Sequence, residues 1–385
     1  MIEPTGDNPP EDDPPEDNPY GVYVPGSKDH IQWMPVTPKD DHPLVPWAEE
    51  SHAHQWVDVD HTWDQLTEFE RCLTQLPELI LPDVDRGHLV VVTGPVGMGK
   101  TTLIHRCIHR AHEYLEALAR HSAQQRSPRR PPRPIVAMTG GYVNHGGEVS
   151  WDDEGDFAET PGINAAIRDK IVDTLRRQFP QVPLDPDLTG DNIPRAFNGI
   201  STLLKEQNSL LFVIVPHIDW RNPGGDVRSK FLKTCLKHAQ SRIVLFVEIS
   251  HQNPRTAGEV VKDLLPHPAV THLTLSPLAL EDTVKFTDAA HPGSPGGPGP
   301  AAPPPAPLRQ VPRDPGQDQD PWSRFDVRQL RKECFAIAER QRRAGRPVRV
   351  TAAELVAPTL NPANLGRTTS TSGRPRRGSS PPQGS

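Results

Sequence analysis

One stretch of the sequence has the residue types and the spacing that phosphate binding requires. Residues 94–101 fit the pattern G-x-x-x-x-G-K-[ST] at every fixed position. Glycines allow successive backbone N–H groups to turn toward a phosphate, which a Cβ atom would hinder. Lys100 is expected to reach the β- and γ-phosphates, and the Thr101 hydroxyl to bind Mg²⁺. The predicted nucleotide-binding residues are Gly94, Pro95, Val96, Gly97, Met98, Gly99, Lys100, Thr101 and Thr102.

The segments on either side of this loop favour the same interpretation. Residues 88–93 form a short apolar run between two glycines, which is typical of a buried parallel strand. From Lys100 onward, apolar residues recur at helical spacing as far as Leu118. A helix that begins at Lys100 adds the partial positive charge of its N-terminus to the phosphate site. Strand, loop and helix together predict a P-loop that binds ATP or GTP with Mg²⁺.

Apolar runs alternate with helical patterns through the middle of the chain. Further strands are predicted at 135–139, 209–215, 242–248 and 270–275. Helices are predicted at 63–79, 164–179, 193–207, 227–240 and 256–265, and in the lid at 279–290, 323–343 and 351–356. Strands that alternate with helices imply a parallel, doubly wound sheet. The predicted fold class is therefore α/β, with a P-loop core followed by a small helical lid.

Composition sets the expected domain boundaries. The chain has 46 prolines in 385 residues, and such a density is expected to concentrate in segments that do not pack. The predicted organisation is an acidic, disordered tail at 1–52, the P-loop core at 53–276, the start of a lid at 277–290, a flexible proline-rich linker at 291–321, the rest of the lid at 322–360 and a disordered tail at 361–385.

The bulk charge and the cysteines exclude several classes of protein. A net charge of −7 gives no general attraction to nucleic acid or to an anionic membrane. The 4 cysteines are scattered and form no C-x-x-C pair, which argues against a disulfide framework or a zinc site. The first residues do not resemble a secretory signal, and no run of apolar residues is long enough to span a membrane. We therefore expect a cytoplasmic protein.

The arrangement resembles the AAA+ and STAND class of ATPases, in the branch of origin-recognition-like and signalling ATPases. The likeness runs from about residue 57 to residue 356. It implies adenine rather than guanine as the base. It also implies that Asp326-Val-Arg328 belongs to a lid helix whose Arg328 reaches the γ-phosphate. At the end of the lid, Thr351 and Glu354 have the spacing of a capping box.

The sequence departs from this family where the catalytic carboxylates are expected. The third strand should end in two acidic residues, but Pro216 and His217 occupy those positions. Asp219 keeps the last acidic position of the family pattern. On the fourth strand, Glu248 could replace the missing carboxylate, in a region where a polar residue usually senses the γ-phosphate. Asp219, Glu248 and Arg328 are therefore the candidate catalytic residues.

These observations predict a nucleotide-dependent switch or scaffold of the AAA+/STAND type, with weak ATP hydrolysis. Protein partners are expected, and oligomerisation on nucleotide binding is consistent with the resemblance. One alternative is a nucleic-acid-associated initiator or loader ATPase, for which the basic residues near Arg374 give thin support. The other alternative is a small-molecule kinase, which would need an acceptor pocket and would not need a lid.

Overall fold

We describe a computed structural model of the chain. The residues it describes are 18, 20, 22–23, 33–34, 43–48, 52–53, 56, 60–73, 86–124, 130–139, 160–215, 225–250, 254–278, 282, 326–346, 348–351 and 354–355. The predicted linker, the C-terminal tail, residues 140–159 and the first 17 residues lie outside these ranges.

A parallel sheet forms the centre of the protein. Two short antiparallel strands come first in the chain, β1 (Val22–Tyr23) and β2 (Trp33–Met34). The strands of the central sheet are β3 (His88–Gly94), β4 (Arg133–Met138), β5 (Ser209–Val215), β6 (Ile243–Ser250) and β7 (Val270–Thr274). Their order in the sheet is β4-β5-β6-β3-β7, and all neighbours run parallel. The α/β fold predicted from the alternating pattern is confirmed.

Helices cover both faces of the sheet. They are α1 (Asp60–Leu73), α2 (Lys100–Gln124), α3 (Thr160–Gln178), α4 (Ile193–Glu206), α5 (Gly225–His238), α6 (Pro254–Val261) and α7 (Val327–Arg343). Side chains alternate across β3, so that Leu89 and Val91 pack in one apolar layer while Val90 and Val92 pack in the other. The first layer includes α3 and α4, and the second includes α1, α2 and α7. A strand buried on both faces explains the continuous apolar run in its sequence.

β4 and β6 differ most from their predicted bounds. β4 begins at Arg133, two residues earlier than predicted, and includes Pro134. Proline is tolerated there because β4 lies at the edge of the sheet and pairs only with β5. β6 continues past Glu248 to Ser250, because its pairing with β3 extends to Gly94. Glu248 therefore lies inside the strand rather than at its end.

Several helix boundaries also differ from the pattern in the sequence. α1 begins at Asp60 rather than Trp63, and residues beyond Leu73 in the predicted helix lie outside the described ranges. α6 begins earlier than predicted, with Pro254 as its first residue, and ends at Val261. Proline favours a first helical position because its missing N–H has no partner there in any case. Beyond Val261 the chain continues as turns, with Leu264 N–H bonded to Val261 O at 2.8 Å.

The lid helix begins later than predicted. α7 starts at Val327 rather than Ser323, because the Asp326 side chain caps it by accepting a hydrogen bond from Gln329 N–H at 2.6 Å. At the end of the lid, the predicted capping box is confirmed. The Thr351 hydroxyl accepts from Glu354 N–H at 3.3 Å, and the Glu354 carboxylate accepts from Thr351 N–H at 3.0 Å. The predicted helix at 279–290 lies outside the described residues except for Asp282.

A few described residues of the N-terminal segment, for which a disordered tail at 1–52 is predicted, pack on the rest of the protein. Its described residues include several that are buried, among them Tyr20, Leu44, Val45 and His52. Tyr20 belongs to the same apolar layer as α1, α2 and α7. The acidic, proline-rich composition did not reveal these residues, because composition averages over the whole segment. A few apolar and aromatic side chains hold short stretches of it on the surface of the protein. Among the described helices, none is long and apolar enough to cross a membrane.

Candidate nucleotide-binding site

Backbone conformation shapes the loop between β3 and α2 as the sequence motif requires. Gly97 and Gly99 have positive φ angles of 81° and 84°, which side-chain-bearing residues rarely adopt. A Cβ atom built on Gly99 would meet nothing within 4 Å, so the space beside this residue is open. α2 begins directly after it at Lys100, and the helix N-terminus therefore faces the loop. This geometry suits a phosphate group.

The predicted loop residues occupy different environments. Val96 is exposed and Met98 is buried in the apolar layer that includes α2. Gly94 ends β3 and lies so close to Leu275 that a Cβ atom would come within 3.0 Å of its backbone oxygen. Thr101 and Thr102 lie in the first turn of α2. The sequence motif thus predicted which residues form the loop, and their contacts became visible only in the structure.

Lys100 is buried at the centre of the site. Its Nζ donates a hydrogen bond to Pro95 O at 2.7 Å and lies 3.6 Å from Glu248 Oε1. Burial lowers the pKa of Lys100, the Glu248 carboxylate opposes that shift, and the positive charge of Arg328 adds to it. The site thus contains two cations, Lys100 and Arg328, and one carboxylate, Glu248. Its positive charge suits a polyanionic ligand.

Glu248 lies beside the loop because β6 is the neighbour of β3. In this register Glu248 pairs with Val92, two residues before the loop begins. Its Oε2 accepts a hydrogen bond from the Thr101 hydroxyl at 2.6 Å, and its side chain is largely buried. The structure therefore brings together a carboxylate and the hydroxyl that the motif assigns to Mg²⁺. Glu248 was a candidate from the sequence, and this contact supports its selection.

The lid helix contacts the loop at its N-terminus. Arg328 N–H donates to Gly97 O at 3.1 Å, and the Asp326 carboxylate lies against the Gly97 Cα. A Cβ atom at Gly97 would collide with that carboxylate. Arg328 is exposed, and its charge acts on Lys100. The backbone of Arg328 therefore contacts the loop, and the reach of its side chain to the γ-phosphate stays a prediction. The contact of Asp326 with the loop was not predicted from the sequence.

The third catalytic candidate cannot be placed. Asp219, together with Pro216 and His217, lies outside the described residues, which resume at Gly225 after β5 ends at Val215. Sequence analysis also missed Gln65, whose Oε1 accepts from Thr274 N–H at 2.7 Å. This contact fixes α1 on β7, the edge strand next to the loop strand, and satisfies a backbone donor that no further strand takes up. Its only sequence signal is its position in an amphipathic helix.

The residues present fit a nucleotide with a divalent cation. Mg²⁺ prefers oxygen ligands, and the Thr101 hydroxyl and the Glu248 carboxylate are both oxygen donors next to the loop. The Thr101 hydroxyl donates its hydrogen bond to Glu248, so the lone pairs of the hydroxyl oxygen remain available to a metal. Lys100 and the N-terminus of α2 supply positive charge for phosphates. Within the described residues, no group of three or more His, Cys, Asp or Glu side chains could hold a metal alone.

Similar solved structures exist at low identity. The ORC2 protein of Aeropyrum pernix, in ADPNP–ADP complexes, is 14% identical, with 75% of this chain and 65% of that chain covered and a TM-score of 0.40. The ORC1 protein of Aeropyrum pernix in complex with DNA is 14% identical, with 78% and 64% covered and a TM-score of 0.36. For Cdc6p of Pyrobaculum aerophilum these values are 17%, 57%, 48% and 0.28.

The chain spans less than two thirds of the length of each of these three proteins. No protein-family model matches the sequence, and no curated protein matches it. At these identities and TM-scores the likeness carries no argument about activity or partners. The parallel sheet and the glycine loop before α2 themselves define the fold as an α/β P-loop fold.

Proposed function

We propose that the protein binds ATP with Mg²⁺ in the loop of residues 94–101 and works as a nucleotide-dependent switch of the AAA+/STAND type. The observation that carries the proposal is the placement of Glu248 against both Thr101 and Lys100. These are the two residues through which the motif binds metal and phosphate. A carboxylate at that point supplies the acidic group that Pro216 and His217 cannot supply from the end of β5.

In this proposal each residue has one role. Thr101 binds Mg²⁺, Lys100 contacts the β- and γ-phosphates, and the backbone N–H groups of the loop surround the phosphate chain. Glu248 orients the Thr101 hydroxyl and balances the positive charges of Lys100 and the metal. Arg328 reaches the γ-phosphate from the lid helix, as the family resemblance implies. Bound Mg²⁺ would supply charge neutralisation for the phosphates.

Slow hydrolysis is part of the proposal. Turnover requires a base that positions the attacking water in addition to the residues that hold the metal. Glu248 already contacts Thr101 and Lys100, and in this proposal these contacts occupy its carboxylate, so that it does not serve as the base. Loss of a general base typically lowers the rate by about a hundred- to ten-thousandfold. The protein is therefore expected to bind ATP but to hydrolyse it slowly. A long-lived ATP state suits a switch or a scaffold.

The nucleotide retained by the purified protein tests this function. The protein is denatured, its released nucleotide is separated by ion-exchange chromatography, and fresh nucleotide is then titrated with and without Mg²⁺. The proposal expects adenine nucleotide, Mg²⁺-dependent ATP binding and little phosphate release over hours. Rapid transfer of phosphate to a small acceptor would instead identify a kinase, and absence of binding would exclude the function.

The partners of the switch are proposed to be proteins. The net charge of −7 gives the chain no general affinity for nucleic acid. Retention on DNA or heparin columns at rising salt distinguishes the two cases, because a nucleic-acid-bound loader loses affinity steeply with salt. Elution at low salt, in the presence or absence of ATP, is expected for the protein-directed switch. ATP-dependent retention above physiological salt would favour the loader.

A further inference from the structure

The N-terminal segment makes contacts with the lid helix that are buried. The Asn18 amide donates to Phe335 O at 3.0 Å, and its carbonyl oxygen accepts from Tyr20 N–H at 3.2 Å. Arg331 Nε donates to Tyr20 O at 2.9 Å, and Tyr20 itself is only 2% exposed. Burial lowers the pKa of Arg331 to about 10. Asn18 and Tyr20 thus contact α7 at Phe335 and Arg331, which lie about one helical turn apart.

The same segment also contacts α2, the helix that begins in the phosphate loop. Trp47 Nε1–H donates to His105 Nδ1 at 2.9 Å, and the two rings stack with centroids 5.9 Å apart. Trp56 contacts His109 edge-on at a centroid separation of 5.4 Å. His105 and His109 lie four residues apart and therefore occupy the same face of α2. Tryptophan rings packed in this way bury large apolar surfaces and fix direction through the indole N–H.

These two sets of contacts are made to the two helices that meet at the nucleotide site. α7 carries Arg328, whose N–H donates to Gly97 O, and α2 carries Lys100 and Thr101. Arg331 is three residues from Arg328, about 4.5 Å along the helix axis. A contact that holds Arg331 therefore also restricts the position of Arg328 above the loop.

We propose that Asn18, Tyr20 and Trp47 are positioning residues: Asn18 and Tyr20 hold α7, and Trp47 holds α2, in place at the phosphate loop, and these contacts slow nucleotide release. This inference rests on the proposed nucleotide binding. We refer to the described residues 18, 20, 43–48, 52–53 and 56 as the N-terminal strap. When the strap is in place, Arg328 and Asp326 cover the loop. When it is loosened, α7 moves away from the loop more readily and the nucleotide leaves sooner.

Two point variants of the full chain test the strap at separate ends. Asn18→Ala removes the donor to Phe335 O and the acceptor of Tyr20 N–H, and Trp47→Phe removes the donor to His105 while it keeps a ring. Release of a fluorescent ATP analogue is followed by stopped flow after displacement with excess ATP. Each variant is expected to release the analogue at least about fivefold faster, since about fivefold is what the loss of one hydrogen bond predicts.

Ser201→Ala is the matched control. It also removes one buried hydrogen bond, from Ser201 Oγ to Ser241 O at 2.7 Å, but on α4 in the opposite apolar layer. This variant should lower the melting temperature by a similar amount and leave the release rate unchanged. Unchanged release in both strap variants, despite tight binding by the wild type, would overturn the strap while the proposed function stands.

Hydrogen exchange, measured with and without nucleotide, separates the two proposals further. Asn18→Ala should raise the exchange of backbone amides in residues 327–343 more than in α4, whether or not nucleotide is bound. Equal exchange of α7 in the variant and the wild type would contradict the strap directly. A wild-type protein that binds no nucleotide would exclude both the function and the effect on release.

Discussion

The Glu248 carboxylate accepts a hydrogen bond from the Thr101 hydroxyl at 2.6 Å. The bond joins β6 to the first turn of α2, the helix that follows the neighbouring strand β3. This contact exists because β6 pairs with β3 in a register that sets Glu248 opposite Val92. It gives the phosphate loop an acidic partner from a strand adjacent to its own. In the proposed function, Glu248 takes the place of the carboxylate that is expected at the end of β5.

Glu248→Gln separates metal binding from phosphate binding. Glutamine keeps an oxygen that accepts from the Thr101 hydroxyl but removes the negative charge. We expect ATP binding without metal to change by less than about threefold, since Lys100 and the loop remain, while the gain in affinity on adding Mg²⁺ falls by at least tenfold. Calorimetric titration with and without Mg²⁺ measures both quantities.

Asp219→Asn is the matched control for this variant, since Asp219 is the other candidate carboxylate. Our account expects its Mg²⁺ dependence to equal that of the wild type. If Asp219→Asn lost the metal effect and Glu248→Gln kept it, the metal-side carboxylate would be Asp219. Brisk wild-type turnover that neither substitution reduces would contradict the proposal of slow hydrolysis.

Gly97→Ala should loosen the contact between the lid helix and the loop. The positive φ of 81° is unfavourable for alanine, and the new Cβ atom would collide with the Asp326 carboxylate. The expected cost is about 1 kcal/mol from the backbone alone, with a further loss of nucleotide affinity. Combining the change with Asp326→Ser, which shortens the side chain but retains a capping hydroxyl, should recover part of that affinity.

The control for this pair is Gly99→Ala. Gly99 has a similar φ of 84°, but its added Cβ atom would meet nothing within 4 Å. Asp326→Ser should therefore give no recovery in the Gly99→Ala background. Equal recovery in both backgrounds, measured as the affinity for ATP, would show that Asp326 does not act through Gly97.

Features of the fold and the site that depend on residues close together in the sequence could be predicted, whereas those that depend on tertiary pairing could not. The position of the glycine loop before α2 could be predicted, because the motif consists of adjacent residues, and its binding of phosphate stays a prediction. The bounds of β5 were predicted correctly, since a strand buried on both faces is a continuous apolar run. The role of Glu248 stayed one of two alternatives, because strand register is fixed by tertiary pairing.

The N-terminal contacts were missed for a different reason. Tyr20 and Trp47 are isolated aromatic residues in an acidic, proline-rich context, and no periodicity links them. Their partners, Arg331 and His105, lie far away in the sequence. Composition describes the average property of such a segment, whereas a few anchoring side chains decide whether parts of it pack.

Acid should destabilise the protein through its buried histidines. Burial lowers the pKa of His105 to about 3 and those of His88, His112 and His238 to about 4. These folded-state values lie below the ordinary value of 6.5, so their contribution to stability is complete above pH 6.5. It is lost as the pH falls toward the folded pKa, because only the unfolded chain takes up protons there.

The expected loss is about 1 kcal/mol per histidine between pH 6.5 and pH 5.5. Urea unfolding at a series of pH values measures it. His238→Phe should reduce the pH slope by about one proton, since a phenyl ring can still stack on Phe197, whose centroid lies 4.3 Å from that of His238. A slope unchanged by this substitution would mean that His238 does not titrate as described.

The most direct test of the central claim is the affinity of ATP·Mg²⁺ for the wild type and for Lys100→Ala, measured by calorimetry. Lys100 points to the loop and its Nζ is held by Pro95 O and Glu248, so its removal takes charge from the phosphate site. We expect the variant to keep its fold by circular dichroism and to bind at least a hundredfold more weakly, a loss of about 3 kcal/mol. Lys233→Ala, which removes a surface ion pair with Asp263, should bind as the wild type does. Binding by folded Lys100→Ala within twofold of the wild type would contradict the assignment of this loop as the nucleotide site.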